Sequence, residues 1–196
     1  MKIVGLTGGI GSGKTTVANM FAKFDNVAIY IADKEAKQLM QTSLIIKEKI
    51  IEEFGYESFV ENQLNRKFIA DLVFKNKEKL HTLNTIVHPE VRKHFQEFVK
   101  NNADKSYIIY EAAILFESKS DAFCDVIITV YVDESIKINR VLKRDNTTKI
   151  EVLNRMKNQL SDTHKMLQSN YIIYNKELKE TKLQVQKIHN ILTEKS

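Results

Sequence analysis

The sequence has one cysteine, one proline and no hydrophobic stretch long enough to cross a membrane. Cys124 cannot form a disulfide within the chain, so the sequence is compatible with a reducing compartment. A membrane helix needs about 18 uninterrupted apolar residues, and no stretch approaches that length. The N-terminus leads directly into a predicted strand, without the regions that mark a secretion signal. We therefore expect a cytoplasmic protein with no membrane partner.

Charge of one sign is not concentrated anywhere in the chain. Its 196 residues include 30 lysines and arginines against 25 acidic residues, a net charge of +5. Because basic and acidic residues are interleaved over most of the length, we do not expect nucleic acid as a partner. Nucleotide phosphates would suit the same small positive excess. The length fits a single domain, 1–196, and leaves the oligomeric state open.

Hydrophobic patterns of strand type and helix type alternate along the chain. The predicted strands lie at residues 2–7, 27–31, 107–110, 126–132 and 171–174. The predicted helices lie at 16–24, 35–54, 66–99, 135–143, 151–160 and 178–192. Pro89 interrupts the third of these and is expected in the first turn of a new helix. The alternation predicts an α/β fold, a doubly wound parallel sheet of about five strands, with a helical insertion at 34–105.

Five of the six glycines lie between residues 5 and 13, in the segment GLTGGIGSGKTTVA. This segment fits the phosphate-loop pattern G-x-x-x-x-G-K-[ST], and it lies between a predicted strand and a predicted helix. A flexible linker would not need the lysine. The dinucleotide fingerprint does not require a Gly-Lys-Thr ending, and no following strand ends in an acidic residue at the usual distance. The segment therefore predicts a site for a nucleoside triphosphate.

The residue types of this loop predict how phosphate is held. Backbone N–H groups of the loop and of the helix N-terminus form an anion-binding nest. Lys14 is expected to reach the β- and γ-phosphates, and the Thr15 hydroxyl is expected to ligate Mg²⁺. The expected nucleotide-binding positions are Gly8, Gly9, Gly11, Ser12, Gly13, Lys14, Thr15 and Thr16.

The loop by itself leaves four classes open: GTPase, ATPase, kinase and nucleotide-dependent switch. The segment Asn175-Lys176-Glu177-Leu178 follows a predicted strand, as the guanine-reading N-K-x-D motif does. Leu178 stands where that motif has its carboxylate, which argues against a GTPase. Asn175 is then a candidate for holding an adenine edge, or a polar residue that closes the strand.

Asp33 follows the second predicted strand. In a parallel sheet it would lie at the same edge as the glycine loop, where α/β sheets bind ligands. A carboxylate there can accept the proton of an attacking hydroxyl or hold the water shell of Mg²⁺. The alternative is a structural role, since aspartate before a helix is often its N-cap.

Further short motifs follow the glycine loop: IADKEAKQLM, FGYESF, LNRKFIADLVF, HPEVR, AAILFES, RVLKRD, RMKNQ and YIIYN. In this order and spacing, the chain resembles the dephospho-coenzyme A kinase family along nearly its whole length. The resemblance implies transfer of the γ-phosphoryl group of ATP to the ribose 3′-hydroxyl of dephospho-coenzyme A, with Mg²⁺. It also places Asp33 at the position of the catalytic base.

The chain departs from the family pattern at four positions outside the glycine loop. Ile31 replaces the first aspartate of an aspartate-alanine-aspartate sequence, so the resemblance assigns the base to Asp33 alone. Ala113 replaces a proline, Lys137 replaces a glutamine of the lid, and Asn170 replaces an aspartate.

Phosphoryl transfer also needs cations that neutralise the charge developing on the γ-phosphoryl group. Arg140 and Arg144 are four residues apart, on one face if the helix continues between them. Arg140 is assigned to transition-state stabilisation, and Arg144 and Arg155 are assigned to contacts with ATP from a closing lid at 140–160.

The remaining assignments concern the acceptor and the metal. Within the insertion at 34–105, Arg66 is expected to contact acceptor phosphates. His88 either donates to a phosphate or caps the helix expected to begin at Pro89. Glu111, at a strand end, is expected either to hold a water of Mg²⁺ or to be an acidic residue solvated at that end. Three alternatives stay open: a kinase for another nucleoside or nucleotide, a nucleotide-dependent switch with slow hydrolysis, and a nucleic-acid-binding ATPase.

Overall fold

The computed structural model describes residues 1–194, apart from the side chains of Phe74 and Lys75. The strands are β1 (Lys2–Thr7), β2 (Val27–Ile31), β3 (Phe59–Val60), β4 (Gln63–Leu64), β5 (Tyr107–Glu111), β6 (Val126–Tyr131) and β7 (Tyr171–Tyr174). The helices are α1 (Lys14–Phe21), α2 (Ala32–Thr42), α3 (Leu44–Phe54), α4 (Arg66–Lys75), α5 (Lys77–Asn101), α6 (Glu134–Asp145), α7 (Lys149–Lys157), α8 (Asp162–Leu167) and α9 (Leu178–Thr193).

The main sheet has five parallel strands in the order β2-β5-β1-β6-β7. The predicted fold class is therefore confirmed. Because β1 is the central strand, the glycine loop that follows it lies at the middle of the carboxyl edge of the sheet. This is the edge at which open α/β sheets bind ligands.

The chain divides into two compact units, Met1–Ile31 with Asn102–Ser196, and Ala32–Asn101. The first unit contains the main sheet with α1 and α6 to α9. The second contains α2 to α5 and the antiparallel hairpin of β3 and β4. Its limits lie close to the expected insertion at 34–105, and its role as the acceptor region stays a prediction.

Helices α1 and α9 contact each other and pack on the main sheet. Val17 and Phe21 of α1 and Val185 and Ile188 of α9 are buried among side chains from the strands. Each such burial contributes about 1.5–3 kcal/mol. The packing holds the first turn of α1 directly behind the glycine loop.

A smaller apolar cluster joins α6 and α7. Ile138, Val141 and Val152 are its buried members, and Ile10 of the glycine loop packs against them. This contact links the loop to the segment that the sequence assigns to the lid.

The helical patterns of the second unit are divided more often than the sequence predicted. The single helix expected at 35–54 is wrong, because Ser43 has extended backbone angles and its hydroxyl accepts from the backbone N–H of Ile46 (3.3 Å). This hydrogen bond begins a new helix, α3. Asn76 likewise separates α4 from α5, because its Oδ1 accepts from the N–H groups of Glu78 (2.9 Å) and Lys79 (3.2 Å).

Pro89 does not begin a helix. It lies inside α5, which runs without interruption from residue 77 to residue 101, so the predicted helix start is wrong. Proline removes the hydrogen bond to the carbonyl of Thr85, but both residues are exposed, so water can satisfy that carbonyl. Val87 and Val91 are buried on either side of Pro89, and their packing keeps the two halves in one helix.

The polar stretch predicted at 144–149 is longer than the turn between α6 and α7, which comprises residues 146–148. Thr148 and Glu151 cap α7 reciprocally: each side chain accepts from the backbone N–H of the other residue. The hairpin of β3 and β4 and the six-residue α8 had no prediction, since elements this short carry little periodicity. In residues 1–194 no helix has the length and apolar composition of a membrane span.

Candidate active site

The glycine loop connects β1 to α1 through backbone angles that favour glycine. Gly11 and Gly13 have φ values of 79° and 90°. A side chain at Gly13 would collide with the amide nitrogen of Asn175, and one at Gly11 would come within 2.5 Å of the carbonyl oxygen of Lys137. The loop therefore keeps its shape only with glycine at these positions.

Lys14 is the first residue of α1, and its side chain turns back over the loop. Its ammonium group donates to the carbonyl oxygen of Gly8 (3.0 Å) and lies 3.5 Å from that of Gly9. The residue is 8% exposed. A cation is thus held against the loop.

Polar groups with unmet hydrogen-bonding capacity lie in the glycine loop and on either side of it in the chain. The hydroxyls of Thr7 and Ser12 are buried and have no hydrogen-bond partner among the described residues. Thr15 and Thr16 lie exposed in the first turn of α1, where backbone N–H groups point away from the helix. Such a set of donors fits an oxyanion of the size of phosphate.

Glu111 ends β5 at the same edge of the sheet. It pairs in register with Leu6 on one side and Ile31 on the other, and it is 3% exposed, so the alternative of a solvated strand end is wrong. Among the described residues, no three His, Cys, Asp or Glu side chains converge as a metal site. A divalent cation at this edge would therefore depend mainly on ligand oxygens and water, as Mg²⁺ commonly does.

Asn175 and Arg140 hold the glycine loop from the side. The Asn175 amide donates to the carbonyl oxygen of Ser12 (2.7 Å), and its own oxygen accepts from the Thr181 hydroxyl (3.0 Å). The Arg140 guanidinium donates to the carbonyl oxygens of Ser12 (3.3 Å) and Asn175 (2.9 Å). These bonds give Asn175 a role in shaping the loop, and its assignment to the nucleotide base stays a prediction.

Arg144 lies in the last turn of α6 and Arg155 lies in the last turn of α7, and both bind Asp145. The Nε of Arg144 is 2.6 Å from one carboxylate oxygen, and a guanidinium nitrogen of Arg155 is 2.9 Å from the other. Their hydrogen bonds, first that of Arg144, lower the pKa of the Asp145 carboxyl. Both arginines are largely exposed, at 64% and 45%, so a ligand could compete for them.

Lys137 is a feature of the site that the sequence did not identify as functional. Its side chain is 1% exposed, and its ammonium group is bound to the carboxylate of Asp162. Both groups lie against the glycine loop: a Cβ atom on Gly9 would be 3.2 Å from the ammonium nitrogen and 3.0 Å from the carboxylate oxygen. The only sequence signal was the departure from the family pattern at Lys137.

A cleft of about 540 Å³ opens beside this ion pair. Gly9, Lys137 and Asp162 line it together with Leu153 and Gln159 of the expected lid. Gln159 also accepts a hydrogen bond from the backbone N–H of Ile10 (2.9 Å). The expected lid thus touches the glycine loop through both an apolar and a polar contact.

The remaining predicted site residues belong to the second unit. Asp33 is exposed in the first turn of α2, two residues after the last residue of β2. It is the second residue of the helix, so the N-cap alternative is wrong. Arg66 is exposed at the start of α4. His88 is half-buried in the middle of α5, and burial lowers its pKa. Since α5 does not begin at Pro89, the capping role proposed for His88 is also wrong.

The sheet order, the glycine loop after the central strand and the lysine turned back over it define a nucleotide-binding protein of the P-loop class. The fold agrees: a shikimate kinase from Bacteroides thetaiotaomicron shares it with a TM-score of 0.54 at 15% identity, over 97% of this chain and 98% of that one. The family model for dephospho-CoA kinase matches residues 2–180, and the chain belongs to this family.

Individual relatives agree with the family match. A dephospho-CoA kinase from Fusobacterium nucleatum is 38% identical over 174 residues, which is 88% of this chain and 89% of that protein. One from Leptospira interrogans is 37% identical, over 89% and 84% of the two chains. Among solved structures, protein TT1252 from Thermus thermophilus has a TM-score of 0.86 at 27% identity, over 97% of this chain and 96% of that one. The dephospho-CoA kinase from Campylobacter jejuni has a TM-score of 0.64 at 20% identity, over 99% and 98%.

Proposed function

We propose that this protein transfers the γ-phosphoryl group of ATP to the ribose 3′-hydroxyl of dephospho-coenzyme A, giving coenzyme A and ADP. The observation that carries the proposal is the Lys14 ammonium, held over the glycine loop of a chain that belongs to the dephospho-CoA kinase family. Family membership supplies the acceptor, and the loop supplies the place for the triphosphate. We place the reaction in the cytoplasm.

The glycine loop binds the triphosphate in this proposal. The backbone N–H groups of the loop and of the first turn of α1 donate to phosphate oxygens. Lys14 exchanges its carbonyl contacts for the β- and γ-phosphates, and Arg140 stabilises the negative charge of the transition state. Arg144 and Arg155 leave Asp145 and contact ATP when the lid closes.

Mg²⁺ fits the carboxyl edge of the sheet. Thr15 would hold it through its hydroxyl, and Glu111 would hold one of its waters. When bound, the ion neutralises charge on the phosphate oxygens. Beside the exposed Thr15 hydroxyl and the buried Glu111 carboxylate, phosphate oxygens and water would supply its other ligands.

Asp33 is the proposed base. Its carboxylate accepts the proton of the 3′-hydroxyl as that oxygen forms a bond to the γ-phosphorus. The bond between the γ-phosphorus and the oxygen bridging to the β-phosphate breaks, and ADP leaves with the electron pair. Arg66 and His88 of the second unit are proposed to contact the phosphates of the acceptor.

A lid over the cleft would keep water from the γ-phosphoryl group, because water competes with the acceptor hydroxyl. The segment 140–160 is proposed for this role. Its two helices carry Arg144 and Arg155, and both Gln159 and the apolar cluster of α6 and α7 contact Ile10 of the loop.

The decisive test is an assay of phosphoryl transfer from ATP with Mg²⁺. Dephospho-coenzyme A, adenosine, AMP and buffer alone are offered in parallel, and products are identified by mass. We expect coenzyme A to form selectively. Transfer to AMP or adenosine instead would indicate another nucleoside or nucleotide kinase, and hydrolysis without transfer would indicate a switch. Hydrolysis that rises with added polynucleotide would indicate a nucleic-acid-dependent ATPase, and each of these three outcomes would overturn the proposal.

A further inference from the structure

Two lysines of the first unit are buried with a carboxylate as their partner. Lys165 is fully buried, and its ammonium group bonds the carbonyl oxygen of Ala113 (2.8 Å) and the Glu117 carboxylate (3.0 Å). Lys137 is 1% exposed, and its partner is Asp162. An ammonium group this deeply buried needs an anion, because an unpaired buried charge costs several kcal/mol. The two lysine–carboxylate pairs are chemically alike, but they lie at different places in the first unit.

The pair of Lys137 and Asp162 lies against the glycine loop. Both charged groups are within 3.2 Å of the place where a Cβ on Gly9 would sit. The backbone carbonyl oxygen of Lys137 would lie 2.5 Å from a Cβ atom on Gly11. The loop backbone at Gly9 therefore approaches an ammonium group and a carboxylate at one point.

The two members of the pair differ in exposure. The Asp162 side chain is 24% exposed, whereas that of Lys137 is 1% exposed. Both line the cleft of about 540 Å³ together with Gly9. The carboxylate is thus the more solvent-accessible member of the pair.

We propose that Lys137 is a second phosphate-binding lysine of this site, and that Asp162 occupies its ammonium group until a nucleotide arrives. A phosphate group then replaces the carboxylate. This inference rests on the proposed function, because that proposal places the triphosphate at the glycine loop.

The exchange satisfies the charges in both states. With nucleotide absent, Asp162 neutralises Lys137, and with nucleotide bound, a phosphate oxygen does so. The ammonium group is never left unpaired, so the exchange avoids the cost of a buried lone charge. Asp162 is released on the exposed side of the pair, where water can solvate its carboxylate.

The alternative is a static ion pair that only fastens α6 to the start of α8. The two interpretations differ in the sign of a mutational effect. If a phosphate competes with Asp162 for Lys137, removing the carboxylate charge strengthens phosphate binding, whereas removing the lysine weakens it. A static pair loses the same contact from either side, so both changes would act in the same direction.

The test is a calorimetric titration of the full chain with ATP and with inorganic tripolyphosphate. For Lys137→Gln we expect both ligands to bind about tenfold more weakly, as expected for one lost charge-assisted hydrogen bond. For Asp162→Asn we expect both to bind about threefold more tightly. Changes of the same sign, or an unchanged affinity in Lys137→Gln, would overturn the inference.

The pair of Lys165 and Glu117 provides the matched control. Glu117→Gln also removes the carboxylate charge from a buried lysine, and it should not tighten the binding of either ligand. If it tightens binding as much as Asp162→Asn does, the effect is not specific to Lys137 and the inference fails.

Folding and function are separated in the same experiment. Thermal unfolding shows whether each variant is folded. If Lys137→Gln is not folded, the test rests on Asp162→Asn, and unchanged or weaker binding of the ligands by that variant overturns the inference. Binding of ATP by the unmodified protein tests the proposed function independently. If the unmodified protein binds ATP but Lys137→Gln and Asp162→Asn change the affinity in the same direction, only this inference is wrong. If it binds neither ligand, the proposed function fails first.

Discussion

Arg140 and Arg144 lie one turn apart on α6, but their surroundings differ. Arg140 is half-buried, and its donors are bound to the carbonyl oxygens of Ser12 and Asn175. Arg144 is 64% exposed and bound to Asp145, the next residue in the chain. The part of α6 at Arg140, its inner end, is therefore hydrogen-bonded to the glycine loop. The part at Arg144, its outer end, carries an exposed cation that is paired with a neighbouring carboxylate.

This difference indicates that Arg140, and not Arg144, is already positioned beside the glycine loop. A donor already fixed beside the loop loses little conformational entropy when the transition state forms, so it can act on the rate of transfer. A surface arginine must break an ion pair worth about 0–1 kcal/mol before it reaches the nucleotide. We therefore expect the inner end to affect kcat and the outer end to affect the KM for ATP.

Asp33→Asn should lower kcat more than any other substitution, and the effects of substitutions at the two ends of α6 are compared with it. Asparagine keeps the size of the side chain but cannot accept the proton of the 3′-hydroxyl, so kcat should fall about 10²- to 10⁴-fold. ATP binding, measured by calorimetry, should change little. Glu35→Gln, in the same helical turn, is the control, and it should change kcat by less than about twofold. Unchanged turnover in Asp33→Asn would remove Asp33 from the mechanism.

Arg140→Ala tests the inner end directly. Loss of one preorganised donor should lower kcat about 10²-fold at saturating ATP and acceptor. The measurement is steady-state turnover, with thermal unfolding to confirm that the variant is folded. If kcat is undiminished in folded protein, Arg140 has no role in the transition state and the distinction between the two ends is lost.

Thr181→Val tests how firmly the inner end is supported. Valine has a similar shape but leaves the buried Asn175 oxygen without its 3.0 Å hydrogen bond. The free energy of unfolding, measured with urea, should fall by about 1–3 kcal/mol. Thr193→Val in the same helix is the control, because that hydroxyl bonds only helix carbonyls, and it should cost less than about 0.5 kcal/mol. Equal losses would show that Asn175 contributes nothing particular.

Arg144→Ala tests the outer end. We expect the KM for ATP to rise about fivefold with kcat nearly unchanged, because about 1 kcal/mol of exposed contact is removed. Lys143→Ala, an exposed cation on the neighbouring face of α6, is the control and should have no effect. A fall in kcat as large as that of Arg140→Ala would show that both ends act alike.

The smallest effect concerns the opposite edge of the sheet. The His189 ring stacks on Phe24 at 3.7 Å, and its Nδ1 lies 2.8 Å from the Tyr107 hydroxyl. Desolvation lowers the pKa of His189 below its ordinary value of 6.5, so the folded state favours the neutral ring. Its contribution to stability is complete above about pH 6.5 and is lost as pH falls through the folded pKa.

Unfolding with urea at pH 7 and at pH 5 measures this effect. The loss of stability between the two should be smaller in His189→Gln than in the unmodified protein, while kcat at pH 7.5 should be the same in both, within about the error of the assay. An identical loss of stability in the two proteins would show that His189 does not titrate with folding.

Several elements could be predicted because their signals are local. The glycine loop, the strand before it and the lysine after it are adjacent in sequence, and the residues of β1 were predicted as Lys2–Thr7. Each buried strand is also a continuous apolar run. Ser43 and Asn76 show the limit: polar residues at the boundary between two helical patterns were absorbed into one long helix, because the apolar spacing continues across them. The prediction at Pro89 was wrong in the opposite sense: a helix start was predicted where the helix continues. Tertiary packing there outweighed a local signal that normally marks a helix start.

The sequence by itself determined the fold class, the phosphate loop and the family, because short-range spacing carries each of them. Only the tertiary structure decided which distant groups meet at the loop. Arg140 reaches Ser12 across 128 positions, and Lys137 meets Asp162 across 25. Nothing in the local pattern selects these partners, because a buried cation binds whichever anion or carbonyl the packing of helices on the sheet brings within reach.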